Sequence, residues 1–124
     1  MSVLNAVRRL LKSRLRLYLA ERLAATQRGP DLASFIEVEK GIGEEAWSDW
    51  QRLQSGAEWE SLHYSNLRLI VGDALREAAD SARGTFRDLV DRGWLEHQLG
   101  LYTKDFRLEK LFVAPMQWVN KEAG

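Results

Sequence analysis

The chain of 124 residues contains no cysteine and only two prolines. The lack of cysteine excludes disulfides, thiolate zinc sites, iron–sulfur clusters and cysteine nucleophiles. Two prolines are too few for a chain rich in linkers. Hydrophobic residues make up 45% of the sequence and charged residues 29%, which is typical of a soluble globular protein. Length and composition therefore predict a single domain over residues 1–124.

Long apolar runs are also missing. No stretch approaches the ~20 apolar residues that a transmembrane helix needs. The amino-terminal segment lacks the continuous apolar block of a secretory signal, because basic residues interrupt it from Arg8 onward. We therefore expect a cytoplasmic protein with no transmembrane helix, for which a membrane is not the favoured partner.

The usual catalytic and cofactor motifs are absent as well. The sequence has no G-x-S-x-G elbow, no phosphate-binding loop, no G-x-G-x-x-G fingerprint and no H-E-x-x-H zinc pair. Glu60 and His63 have the E-x-x-H spacing of di-metal helical bundles, but such sites need a second copy of the motif. The other histidine, His97, has no glutamate three residues before it. We therefore expect a structural histidine at position 63, no metal site and no cofactor.

Apolar residues recur at the helical period through most of the chain, which predicts an all-α fold. The first helix is expected from Ser2, as its cap, to about Gln27, where a Gly-Pro pair follows. Asp31 then caps a short apolar segment over residues 32–38. Glycines at positions 41 and 43 predict a turn or hinge, so the second helix is expected from Glu44 to the Ser55-Gly56 pair.

The longest periodic pattern runs from Trp59 to Arg92 and predicts one long helix with i,i+4 ion pairs such as Asp88 with Arg92 on its exposed side. Gly93 is expected to cap or break this helix, residues 94–99 to form a short helix and Gly100 to end it. Residues 105–113 favour a helix, with a strand as the alternative. The whole is a single-domain bundle of four to six helices.

Tryptophan is abundant, with five residues. Trp47 and Trp50 lie three residues apart in register with Ala46 and Leu53, a spacing that predicts core positions. Trp118 lies in an apolar tail and is the one we expect to be exposed or to dock on another chain.

Charge is balanced in total but segregated along the chain, with 18 basic and 18 acidic residues. Residues 1–28 carry seven basic residues and one acidic, residues 29–62 carry two basic and eight acidic, and residues 63–124 are neutral. On the first helix, Arg8, Arg9, Lys12 and Arg16 fall within a sector of about 100°. We call these four residues the basic ridge.

Guanidinium groups on one side of a helix can contact consecutive phosphates without reading sequence. The basic ridge therefore predicts binding to a nucleic-acid backbone or to an acidic protein surface, including that of a neighbouring copy. Two other interpretations are open: the ridge is a solvated face, or it meets the acidic segment 37–60 of the same molecule. An amphipathic helix on anionic lipid is a third possibility.

Arg92 and His97 are separated by four residues. This Arg-x4-His spacing resembles the one near the last helix of the helical nucleotide-binding and RNase domains known as HEPN. The resemblance implies an RNase, usually formed across a dimer, whose arginine and histidine stabilise and protonate groups around a scissile RNA phosphate. A HEPN-like RNase that uses Arg92 and His97 is therefore one alternative function.

The interpretation we favour is a non-catalytic helical assembly subunit that uses the basic ridge to bind its partner. In size and plan the chain looks like the small helical subunits that line guide RNA and target strand in CRISPR effector complexes. This resemblance implies a small subunit of a ribonucleoprotein effector complex. A phage or bacterial adaptor or inhibitor that binds one protein is a further alternative. The hypothesis requires the ridge cations to project outward and not to be neutralised within the fold.

Overall fold

The computed structural model describes residues 2–26 and 31–112, and the regular structure in this part of the chain is entirely helical. It comprises five α-helices and a 3₁₀ helix: α1 (Val3–Ala24), α2 (Ala33–Leu53), α3 (Ala57–Glu60), α4 (Tyr64–Phe86), α5 (Arg92–Asp105) and the 3₁₀ helix Leu108–Phe112. The predicted all-α bundle of four to six helices is confirmed. Among the described helices, none combines the length and the apolar character needed to cross a membrane.

α1 is the central helix and packs against both α2 and α4. Ser2 caps it as predicted, because its Oγ accepts a hydrogen bond from the Asn5 backbone N–H at 3.1 Å. Apolar side chains are buried around most of its circumference, which leaves little of the helix in solvent. They are Val3, Ala6, Val7, Leu10, Leu11, Leu15, Leu17, Leu19, Ala20 and Leu23. The helix ends at Ala24, with Ala25 as its C-cap, three residues before the predicted end near Gln27; the Gly-Pro pair at residues 29 and 30 lies outside the described residues.

α2 runs antiparallel to α1. Contacts that start further along α1 reach residues nearer the start of α2: Arg9 pairs with Asp49, and the Ser13 hydroxyl donates to the Glu39 carbonyl. α4 packs against α1. Phe86 at the end of α4 also stacks edge-on against Phe35 near the start of α2, with ring centroids 5.9 Å apart. Three alanines on α4, at positions 74, 78 and 82, are fully buried and allow the close approach of α1.

The predicted hinge at Gly41–Gly43 and the helix start at Glu44 are wrong, because α2 is continuous from Ala33. None of the described glycines has a positive φ, so nothing in the backbone requires a turn at either position. The N-cap of α2 is Leu32 and not Asp31 as predicted, although Asp31 Oδ1 accepts a hydrogen bond from the Ala33 backbone N–H at 3.1 Å, just before the helix.

The single long helix from Trp59 to Arg92 is also wrong. The chain forms α3, then α4, then a turn over residues 87–91 before α5. Asp91 starts α5, because its side chain accepts from the Trp94 backbone N–H. The Asp88–Arg92 helical pair therefore cannot form. Gly93 lies in the first turn of α5 and Gly100 in its interior, so neither ends a helix.

The segment over 105–113, predicted as a helix, begins with the last residue of α5 and continues as the 3₁₀ helix, with Val113 outside the described residues. Trp50 fixes this segment, because its Nε1 donates to the Leu111 carbonyl at 2.6 Å. Trp50 is fully buried, which confirms its predicted core position, and Trp47 is partly buried against the core. Trp118 lies outside the described residues.

Candidate interaction surfaces

The basic ridge lies on the side of α1 between the two helices that pack against it, α2 and α4. We call this side of α1 the seam. Arg9 and Arg16 reach carboxylates on α2, and Arg8 reaches one on α4. The ridge is therefore flanked by the two helices that pack against α1, while the side chains of Arg8 and Arg9 remain 37% and 39% exposed. The position of these residues on one side of α1 was predictable from their spacing, but the helices that cover that side were not.

Two buried carboxylates on α2 hold their side of the seam. Arg9 Nη1 lies 2.9 Å from Asp49 Oδ2, and Asp49 also pairs with Arg52. Arg16 Nε lies 3.2 Å from Glu39 Oε1 but is not in hydrogen-bond geometry, so this pair is mainly coulombic. The side chains of Glu39 and Asp49 are only 6% and 8% exposed. A buried carboxylate is stable in its charged form only with partners of this kind, so these arginines have a structural role.

The α4 side of the seam is more open. Arg8 Nε lies 2.5 Å from Glu77 Oε2, and both side chains are close to 40% exposed. Those two atoms lack hydrogen-bond geometry, so the attraction is mainly coulombic. Lys12 is partly buried between these pairs, and within residues 2–26 and 31–112 no carboxylate pairs with it.

The expectation that the ridge projects outward unpaired is therefore wrong for Arg8, Arg9 and Arg16. Of the interpretations left open by the sequence, contact with the acidic segment 37–60 of the same molecule holds for Arg9 and Arg16. Binding of a nucleic acid or acidic partner by the ridge stays a prediction, and it would require these ion pairs to be exchanged.

Arg14 is a further cation that sequence reasoning did not single out. Its guanidinium lies over Gly43, where a Cβ would come within 2.7 Å of Arg14 Nη2. Its Nε is buried without a hydrogen-bond partner among the residues described. Burial lowers the pKa of Arg14, although nearby Tyr102 and Glu44 act in the opposite direction. An arginine remains cationic at neutral pH even so.

The outer side of α2 exposes apolar residues among acids. Val38 is 63% exposed and Ile42 36%, and Glu45 follows them at the i+7 position of the same helical stripe. Glu37 flanks the stripe and has no ion pair with any described residue. We call Glu37, Val38, Ile42 and Glu45 the α2 outer face. The sequence predicted an acidic segment here, but assigned residues 41–43 to a turn.

In contrast to the acidic α2 outer face, the surface where α4 meets α5 is rich in arginine. Arg83 donates to both carboxylate oxygens of Glu96, from Nε at 2.8 Å and from Nη2 at 3.0 Å, and also to Asp80. The hydrogen bond from Arg83 lowers the pKa of Glu96 and raises that of Arg83. This two-pronged pair joins the end of α4 to α5.

A cavity of about 250 Å³ lies beside this pair and is lined by Arg83, Arg87, Val90, Arg92, Leu95 and Glu96. We call it the arginine cavity. Arg87 and Arg92 make no ion pair within the described part of the chain, whereas Val90 and Leu95 supply apolar surface. This site was not predicted from the sequence, because Arg87 and Arg92 were expected to form surface ion pairs on one long helix. The recurrence of arginine at positions 83, 87 and 92 was the sequence feature that could have indicated the site.

The two residues that resemble the HEPN motif are separated on α5. Arg92 is its first residue and lines the arginine cavity, whereas His97 does not. Five residues correspond to about 140° around an α-helix, so the two side chains do not share a face. An RNase activity of this pair stays a prediction.

The E-x-x-H pair is not on one helix face either. Glu60 ends α3, and His63 is an exposed residue in the cap position of α4. In the part of the chain that the structure describes, no group of three or more histidine, aspartate or glutamate side chains is arranged to hold a metal ion.

Comparison of the chain with protein-family models, with curated proteins and with solved structures gives no match. The function of the chain is therefore inferred from its own geometry.

Proposed function

We propose that this chain is a non-catalytic helical assembly subunit that joins to a second copy of itself. The α2 outer face of one copy binds the arginine cavity of the next. The observation that carries the proposal is the exposure of Val38 and Ile42 on a helix side that also bears carboxylates. Because one surface bears carboxylates and the other bears arginines, each surface binds the other kind and the copies associate head to tail.

The α2 outer face has the chemistry of a docking surface. A side chain such as Val38, 63% exposed, gains about 25 cal/mol for each Å² of apolar surface that a partner covers. Glu37 and Glu45 lie beside it, and Glu45 is itself 71% exposed with only a 3.5 Å contact to Arg9. These carboxylates are available to a cationic partner.

The arginine cavity offers the complementary chemistry. Arg87 and Arg92 can each donate two hydrogen bonds to a carboxylate, a geometry that a planar guanidinium favours. Val90 and Leu95 can accept an aliphatic side chain between them. Leu89, in the adjoining turn, is 45% exposed and extends the apolar surface. A contact between two different surfaces of one protein is heterologous and can be repeated by every added copy.

A protein partner suits these surfaces better than a nucleic-acid strand does. Three residues of the basic ridge already have carboxylate partners. Near the arginine cavity, Asp88 and Asp91 lie in the same turn as Arg87, and they would repel a polyanionic strand. The α2 outer face, with two carboxylates beside apolar side chains, carries less negative charge than such a strand and meets less of that repulsion.

Sedimentation velocity over a concentration series tests the proposal. We expect the wild type to show species larger than the monomer as concentration rises, and higher salt to weaken them. Two variants should remain monomeric: Val38→Arg, which alters the α2 outer face, and Arg87→Ala with Arg92→Ala, which alters the cavity. Leu69→Arg is the matched control, since Leu69 is 69% exposed on α4, and it should assemble like the wild type.

Mixing the two monomeric variants gives the decisive result. One retains an intact cavity and the other an intact α2 outer face, so an equimolar mixture should form a one-to-one dimer. A wild type that stays monomeric throughout, or a mixture that does not associate, would contradict the proposal.

A further inference from the structure

A second cavity, of about 520 Å³, lies between α4 and the segment that follows α5. Its volume is within the range of ordinary small-molecule sites, about 300–1,000 Å³. None of its lining residues belongs to the α2 outer face, the arginine cavity or the basic ridge. Whatever it binds is therefore independent of the assembly proposed above.

One wall of this cavity is apolar and is built from the core. Val71 and Phe106 are 6% and 8% exposed, and Leu75 and Leu108 are partly buried against the same core. These four side chains are held by the packing of α4 against the end of α5. The wall therefore presents a continuous apolar surface to a ligand.

Two arginines line the same cavity. Arg68 is exposed and has no ion pair with the residues that the structure describes. Arg107 is anchored, because its Nη1 donates to the carbonyls of Lys104 at 3.0 Å and of Phe106 at 3.2 Å. These bonds use one of its guanidinium nitrogens, so the others can donate to a ligand. The described residues that line the cavity include two arginines and no acid, and this lining favours an anion.

Gly72 lies on α4 among these residues, and a Cβ built on it would meet no atom within 4 Å. The missing side chain leaves the space beside the apolar wall open. Gly84, on the same helix, has equally open surroundings but does not line this cavity. The two glycines thus differ in their relation to the cavity and not in local crowding.

We propose that this cavity binds an amphipathic organic anion, with the apolar body on Val71, Leu75 and Phe106 and a carboxylate at Arg68 and Arg107. A carboxylate accepts charge-assisted hydrogen bonds from guanidinium groups. The apolar wall supplies affinity that an inorganic anion cannot use. The cavity thus discriminates by the ligand's apolar body as well as by its charge.

Fluorescence titration with 1-anilinonaphthalene-8-sulfonate, itself an amphipathic anion, tests this proposal in the folded full-length chain. We expect saturable binding that Gly72→Phe weakens by about tenfold or more, equivalent to about 1.4 kcal/mol, because the new ring fills the cavity. Gly84→Phe, the matched control, should bind like the wild type. Arg68→Gln should also weaken binding, with thermal unfolding showing that each variant is folded.

Competition between the dye and a second anion shows which features of a ligand the cavity recognises. Dodecanoate should displace the dye, and inorganic phosphate at the same concentration should not. Equal binding by Gly72→Phe and Gly84→Phe would overturn the proposal, as would displacement by phosphate alone. Because neither glycine lies on the proposed self-association surfaces, this result is independent of whether the chain assembles.

Discussion

Arg16 and Glu39 show how a buried acid fixes the role of a nearby base. Glu39 is 5% exposed and lies on the inner side of α2, where water cannot solvate its charge. Arg16, one helix away, supplies the compensating charge at 3.2 Å. The net gain from such a pair is small, because both groups lose hydration, whereas removing one partner leaves an uncompensated charge.

Replacing Arg16 with glutamine should therefore lower the free energy of unfolding by about 2–3 kcal/mol, less than for a fully buried pair because Arg16 is partly exposed. Chemical denaturation measures this directly. Lys12→Gln is the matched control from the same ridge and should change stability by no more than about 0.5 kcal/mol, since Lys12 makes no ion pair in the described residues. Equal effects of the two substitutions would contradict a structural role for Arg16.

At the scale of the helices, Gly43 allows α1 and α2 to approach closely. A glycine inside a helix costs about 1 kcal/mol relative to alanine, yet α2 contains it without a break. The space that its side chain would take is occupied by the Arg14 guanidinium and by Ser13 Oγ, 2.7 and 3.0 Å from a built Cβ. The packing of α1 thus compensates for the weak helix preference of this position.

Alanine substitutions separate the cost of glycine in a helix from the effect of the packing of α1 against Gly43. Gly72→Ala and Gly84→Ala should each stabilise the protein by about 0.5–1 kcal/mol, because their surroundings are open. Gly43→Ala should give no such gain, since Arg14 and Ser13 must move, and it should become more favourable when Arg14→Ala is also present. Thermal denaturation of the series measures the differences. A gain at Gly43 equal to that at Gly72 would contradict the close packing of α1 on α2.

The extent to which the helices were predictable depends on what breaks them. The helical class, the Ser2 cap and the burial of Trp50 follow from periodicity and capping chemistry. The turn over residues 87–91 does not, because Leu89 and Val90 continue the apolar period of α4 and conceal it. Asp91 was a local sign of a helix start, since its Oδ2 accepts a hydrogen bond from the Trp94 backbone N–H. The apolar period across residues 89 and 90 outweighed it.

The candidate surfaces were predictable only in part for a related reason. Periodicity places residues on one side of their own helix, so the basic ridge was predicted as a set. It does not specify which neighbouring helix covers that side, so the pairing with Glu39, Asp49 and Glu77 was not predictable. The arginine cavity depends on the turn before α5, and it was missed together with that turn.

At the scale of the whole molecule, the segregation of charge along the chain acquires a structural meaning. The basic first segment and the acidic second segment form α1 and α2, which pack antiparallel and pair through Arg9 and Arg16. Part of the charge difference between the two segments is therefore compensated by folding. The described charges without an ion pair include Glu37 on the α2 outer face and Arg87 and Arg92 at the arginine cavity, the two surfaces proposed for assembly.

Thermal unfolding of the variant with Arg8, Arg9, Lys12 and Arg16 all replaced by glutamine tests most directly whether the basic ridge is a structural seam. The losses at three ion pairs should lower Tm by about 10 °C or more, since each kcal/mol corresponds to about 2–8 °C in a domain of this size. A control that replaces Arg68, Arg76, Arg87 and Arg92 with glutamine should stay within a few degrees of the wild type. A ridge variant with an unchanged Tm would show that these cations form a solvated face, and would contradict the account.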